Sequence, residues 1–116
     1  MPDEQPLTER RCVPCEGGTP PLGADRIAEL LGQVEGWALQ QTGEHDELVK
    51  AFRFGNFVEA VQFVDRITPV AEEEGHHPDL VVGYGRVEVH LWTHAAGGLT
   101  DNDFILAAKI DTKAAA

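Results

Sequence analysis

The sequence is short of basic residues: nine lysines and arginines stand against 20 aspartates and glutamates among 116 residues, a formal charge of −11 at pH 7. Such a field repels phosphate backbones and anionic lipid headgroups, which argues against direct nucleic-acid or membrane-surface binding. No apolar run approaches the roughly 20 residues of a membrane span. Met1-Pro-Asp-Glu also lacks the basic start and apolar core of a signal peptide, so the expected location is cytoplasmic. Cysteine is nearly absent. Cys12 and Cys15 make a lone C-x-x-C, half of a tetrahedral zinc set with no second pair to complete it. The plainest reading is two reduced thiols on a flexible segment; zinc shared between subunits and a redox pair are the alternatives.

What is present is ordinary globular composition, 42% apolar and 25% charged, in a length that suits one domain with a single modest core. Residues 1–22 hold five of the seven prolines and the Gly17-Gly18 pair, which resists helix and strand alike. They read as an irregular arm, ordered only if it packs on something, ahead of a domain over residues 23–116.

Within that domain Ile27, Leu30, Leu31 and Val34 recur at spacings of three and four, which predicts a helix over 24–33 that ends near Gly36. Residues 37–40 and 47–54 read as a hairpin about a turn. Lys50 interrupts the apolar face of Leu48, Phe52 and Phe54, so the second of these strands is expected near a sheet edge. His45, in the turn, reads as solvated surface. Asn56 can cap a second helix with Phe57, Ala60, Val61, Val64, Ile67, Val70 and Ala71 as its buried face. Pro69 predicts a kink or interruption near Thr68, and Gly75 the end. Residues 79–84 and 87–94 form a second hairpin. Alternation in the latter puts Val87, Val89, Leu91 and Thr93 on the core face, and Glu88, His90, Trp92 and His94 on a face that suits water or a cleft wall. Thr100 and Asp103 resemble a capping box with Asp in place of Glu, opening a last helix with Phe104, Ile105, Ala108 and Ile110 as its apolar positions. The order α-β-β-α-β-β-α implies an α+β fold, a four-stranded antiparallel sheet with three helices packed on one face.

The chemistry concentrates between Glu72 and His94, which hold four of the five histidines. Imidazole titrates near neutral pH, so His76, His77 and His94 are candidates for acid/base work. Pro78 biases His77 toward extended backbone and narrows the directions its ring can take. Adjacent side chains on extended chain point apart, and the spacing matches no zinc pattern, so no metal is expected. Glu72, Glu73 and Glu74 fall in the last turn of the second helix, where carboxylates oppose the macrodipole; one of them is expected to have a specific role, against the alternative of a solvated acidic face.

Glu72 with His76-His77-Pro78 four residues on, then Tyr84, Thr93-His94, Gly98-Leu99-Thr100 and Asp103, closely resembles the signature of the pterin-4a-carbinolamine dehydratases. The resemblance runs over about residues 23–111 in element order. It implies loss of water from 4a-hydroxytetrahydrobiopterin to give quinonoid dihydrobiopterin, without metal or organic cofactor, in tetrahydrobiopterin recycling. By the same resemblance His76, His77 and His94 are catalytic, while Glu72, Pro78, Thr93, Ala95, Ala96 and Asp103 bind the pterin or support the site. Trp37, in the family's Gly-Trp element, is structural. Family members are dimers or tetramers, and the exposed edges of a four-stranded sheet agree with a homo-oligomer. Pro69 and Ala95-Ala96 depart from the pattern without removing a histidine. The Cys12-containing arm is similar to an extension of some bacterial and plastid-type members. The family also includes dimerisation coactivators and suspected partners in molybdenum-cofactor metabolism, which stand as the alternative readings.

Overall fold

The computed structural model describes residues 5–14 and 19–114. Cys15, and with it the C-x-x-C pair, lies outside the described residues. The elements are α1 (Ala24–Leu31), β1 (Ala38–Gln41), β2 (Asp46–Arg53), α2 (Phe57–Glu74), β3 (Asp79–Gly83), β4 (Arg86–Leu91) and α3 (Asp101–Ala114), with short 3₁₀ turns at Leu7–Glu9 and His94–Ala96. The strands form one antiparallel sheet in the order β1-β2-β4-β3, and the helices cover one face, as the element order implies.

Helix α1 stops at Leu31, two residues before the expected end. Its last turn tightens into i→i+3 bonds, Gln33 N–H to Leu30 O and Val34 N–H to Leu31 O. Strand β2 is central, not at an edge as Lys50 suggested. Lys50 is accommodated because its ammonium sits over the Phe52 ring, 5.0 Å from the centroid, and bonds Asp111 Oδ1 at 2.8 Å and Glu35 O at 3.0 Å. Asp111 also accepts the Trp37 indole N–H, and Trp37 is buried, in keeping with a structural role.

Asn56 caps α2 by accepting from Glu59 N–H at 2.9 Å. The helix is not interrupted at Pro69. The buried face of α2 also differs from the expected one: Ala60, Phe63, Ile67, Ala71 and Glu74 are buried, while Phe57 and Val61 are exposed. Phe63 packs on Phe52 and Phe54 at centroid distances of 4.7 and 5.1 Å, so the stripe is rotated toward the aromatic residues of β2 and the segment that follows it. Gly75 ends the helix with φ +65°, a left-handed conformation that favours glycine.

Val87, Val89 and Leu91 are fully buried, as alternation along β4 predicts. The strand itself ends at Leu91, three residues short of His94. Thr93 bridges Gly98, folding residues 94–97 into a tight loop that sets His94 at its start. Helix α3 is more deeply enclosed than its pattern suggested: Leu106 and Ala107 are buried along with Phe104, Ile105 and Ile110. The reason is its position between α2 and the arm, whose Leu7 also enters the core.

Candidate active site

The end of α2, the segment leading into β3, the loop after β4 and the arm enclose a cavity of about 580 Å³. That volume suits a small organic ligand. His76, His77 and His94 all line it, the first two from the segment after α2 and the third from the loop after β4. Glu72, Pro78, Thr93 and Ala95 line it as well; Ala96 and Asp103 stand back from the wall.

Asp103 is the hub beneath the cavity, with no solvent exposure. Its Oδ1 lies 2.6 Å from His76 Nε2, and its Oδ2 accepts from Thr93 Oγ1 at 2.8 Å and Thr100 N–H at 2.9 Å. A carboxylate only accepts, so His76 Nε2 carries the proton and Nδ1 is left to the other side of the ring. Since the single Thr93 hydroxyl proton goes to Asp103, Thr100 donates its own to Thr93, at 2.9 Å. One half of the predicted capping box is therefore present: Asp103 takes the Thr100 N–H, whereas the Thr100 hydroxyl is turned to Thr93.

His77 and Glu72 form the rim. Their side chains are 60% and 69% exposed and meet at 2.6 Å between Nε2 and Oε2. This pair occupies one nitrogen of His77 and directs the ring. His94, exposed, is held differently: its ring stacks on Trp92 at 3.8 Å with planes 28° apart. Trp92 in turn stacks on His45 at 3.5 Å and 11°. His45 is thus not solvated turn surface; its side chain is 14% exposed and Nε2 lies 2.7 Å from Glu47 Oε2.

Sequence reasoning missed the contribution of the arm. Cys12, Val13 and Pro14 line the cavity opposite the histidines' own segments. Cys12 N–H donates to Glu74 Oε1 at 2.7 Å, Val13 N–H to Asn102 Oδ1 at 3.0 Å, and Asn102 Nδ2 returns a bond to Val13 O at 2.7 Å. The Cys12 segment is therefore fastened, contrary to the expectation of flexibility. Of the three glutamates, Glu74 has the structural role, since it is buried and also pairs with Lys109 at 2.6 Å and Arg11 at 3.3 Å. Burial pushes its pKa up, but the Lys109 and Cys12 hydrogen bonds and the neighbouring cations outweigh this and hold it below the usual glutamate range. Burial, helped by the Glu74 charge, pushes the Cys12 thiol up to about 12, away from the reactive thiolate form. Pro-rich composition reads as irregular, and nothing in it marks which residues of another element will bind it.

Fold and site together define a class: an α+β domain with a histidine-lined cleft of about 580 Å³. The family model described as pterin 4 alpha carbinolamine dehydratase matches residues 20–113, and the chain belongs to that family. A Rickettsia canadensis protein whose pterin-4-alpha-carbinolamine dehydratase name is provisional is 46% identical over 92% of this chain and 96% of its own length. Among solved structures, a Brucella melitensis chain titled transcriptional coactivator/pterin dehydratase superposes with a TM-score of 0.75 at 31% identity, over 81% of this chain and 98% of its own. A pterin dehydratase-like protein described as a RuBisCO assembly factor in the alpha-carboxysome gives 0.58 at 28% identity, over 69% of this chain and 90% of its own.

Proposed function

We propose that this protein dehydrates 4a-hydroxytetrahydrobiopterin to quinonoid dihydrobiopterin by histidine acid/base catalysis, in tetrahydrobiopterin recycling. The observation that carries the reading is the convergence of His76, His77 and His94 on one cavity in a chain of this family. Dehydration moves two protons: one is delivered to the C4a hydroxyl oxygen as the C4a–O bond breaks, and one leaves a ring nitrogen as the quinonoid system forms. The protons balance and water is the only other product. Both transfers suit imidazoles, which give and take protons near neutral pH.

His77 is the principal acid/base, its Nε2 occupied by Glu72. His94 is the second proton carrier, and His76, fixed on buried Asp103, orients the pterin. Glu72, Pro78, Thr93, Ala95, Ala96 and Asp103 bind or support the ligand. Neither metal nor organic cofactor enters the scheme, and the partner besides the pterin is a second copy of the chain. Self-association is supported by the outer edges of β1 and β3, which pair with no further strand among the described residues, and by exposed Phe57 and Val58 on α2.

Stopped-flow measurement of carbinolamine loss, with and without the protein, tests this. The expected result is acceleration by the wild type and a fall of ~10² in the rate for His77→Ala. Unaltered turnover in that variant removes His77 from the mechanism, and no acceleration by the wild type removes the reading. A second reading, a protein-binding role, draws on the two solved relatives, one described as a transcriptional coactivator/pterin dehydratase and the other as a RuBisCO assembly factor.

A further inference from the structure

The outer face of the sheet carries a cluster of titratable groups that the dehydration scheme does not use. Glu47 divides its two oxygens between His45 Nε2 and His90 Nδ1, each at 2.7 Å. His90 Nε2 meets Glu88 Oε1 at 2.7 Å, and Arg86 closes the line on the other Glu88 oxygen. With a carboxylate at each nitrogen, His90 is held as the imidazolium, so Glu47 is fixed from one side by a charged donor and fixes His45 on the other. The backbone of His45 is equally constrained: its carbonyl accepts from Thr42 N–H at 3.0 Å and Thr42 Oγ1 at 2.8 Å.

The far end of this line is the cleft. His45 and His94 stack on Trp92 at 3.5 and 3.8 Å between centroids. At those separations each imidazole sits over the indole, so the two must occupy opposite faces. An indole backed on one side by a ring that is itself bonded into the sheet cannot rock away from the ring on its other side. His94, exposed and at the head of a tight loop, has its ring plane set by that surface.

We infer that His45 is a positioning residue for His94, holding its imidazole toward the cleft through Trp92. The kinetic consequence rests on the dehydratase reading; the structural one does not. His45 does not line the cleft, so its removal should act on turnover more than on binding, because reaction geometry is sensitive to displacements of an ångström or less.

The test uses the full-length chain and two substitutions at one position. In wild type the Trp92 ring current, with the ring centroids 3.8 Å apart, should shift the His94 ring protons upfield in the NMR spectrum. His45→Ala should reduce that shift and lower kcat by ~10-fold while KM changes less than ~2-fold. His45→Phe, which restores a flat ring but not the bond to Glu47, should recover part of both; unchanged circular dichroism in the two variants excludes unfolding. If His45→Ala leaves the His94 resonances and kcat at wild-type values, or if His45→Phe is as impaired as His45→Ala, the stack does not position His94. A protein that dehydrates no pterin yet shows the Ala and Phe effects on the His94 resonances would overturn the dehydratase reading and leave this inference standing.

Discussion

At the scale of residues, the site depends on a few polar atoms whose partners leave no slack. Asp103 satisfies a ring nitrogen, a hydroxyl and a backbone N–H with two oxygens, all beneath the cleft floor. Asp103→Ala should cost roughly 3 kcal/mol, since it orphans buried donors as well as removing their acceptor. Chemical denaturation measures this, and a change below about 1 kcal/mol would mean that water replaces the carboxylate without loss. His76, His77 and Asp103 were legible in the sequence because a His-His-Pro run and a helix-capping acid have local signatures. His45 was not. Its role comes from a register that lays the β1–β2 turn beside Trp92, and no spacing along the chain encodes that proximity.

At the scale of elements, the arm is the part that a sequence pattern describes least. Proline excludes regular structure but says nothing of docking, whereas here two side chains of other elements, Glu74 and Asn102, hold the backbone of Cys12 and Val13. Asn102→Ala should release this segment and speed tryptic cleavage at Arg10 and Arg11 by ~10-fold, with the global melting temperature changed far less. Equal cleavage rates would show that Glu74 alone suffices. The strands and helices themselves followed from periodicity because each presents one face to a single core. Helix α2 was misread in phase because Phe57 and Val61 carry the right residue type on the solvent side, while Phe63 reaches the aromatic residues of β2 and beyond. Lys50 misled for a related reason: a long stem can lie on the core face of a central strand when its ammonium emerges beside an acid.

For the whole molecule, charge sets the pH range. Among the described residues no helix is long and apolar enough to cross a membrane. Glu47, Glu74 and Asp101 are all held below the usual carboxylate range, in each case against the upward push of burial, by hydrogen bonds from His90 and His45, from Lys109 and Cys12 N–H, and from Arg26 and Arg10 respectively. A folded pKa below the unfolded one means stability that is present above the unfolded value and lost as pH falls through the folded value. His90 has the opposite sign: burial lowers its pKa, but the bonds to Glu47 and Glu88 outweigh burial and raise it. Its contribution is complete below the unfolded histidine value and lost as pH rises through the folded one. Thermal unfolding followed against pH should therefore decline on both sides of a plateau, with Glu74→Gln flattening the acid limb and His90→Gln the alkaline one. Limbs unchanged by these substitutions would assign the pH dependence to other groups.

The adjacent His76 and His77 after α2 and His94 after β4 are proposed to act together on one pterin. Titrating protein with ¹⁵N-labelled histidine against a stable reduced pterin, such as 7,8-dihydrobiopterin, tests it most directly. The imidazole resonances of His76, His77 and His94 should shift along a single saturation curve while those of His90 stay in place. Binding that leaves any of the three unmoved, or that moves them with separate affinities, would contradict it.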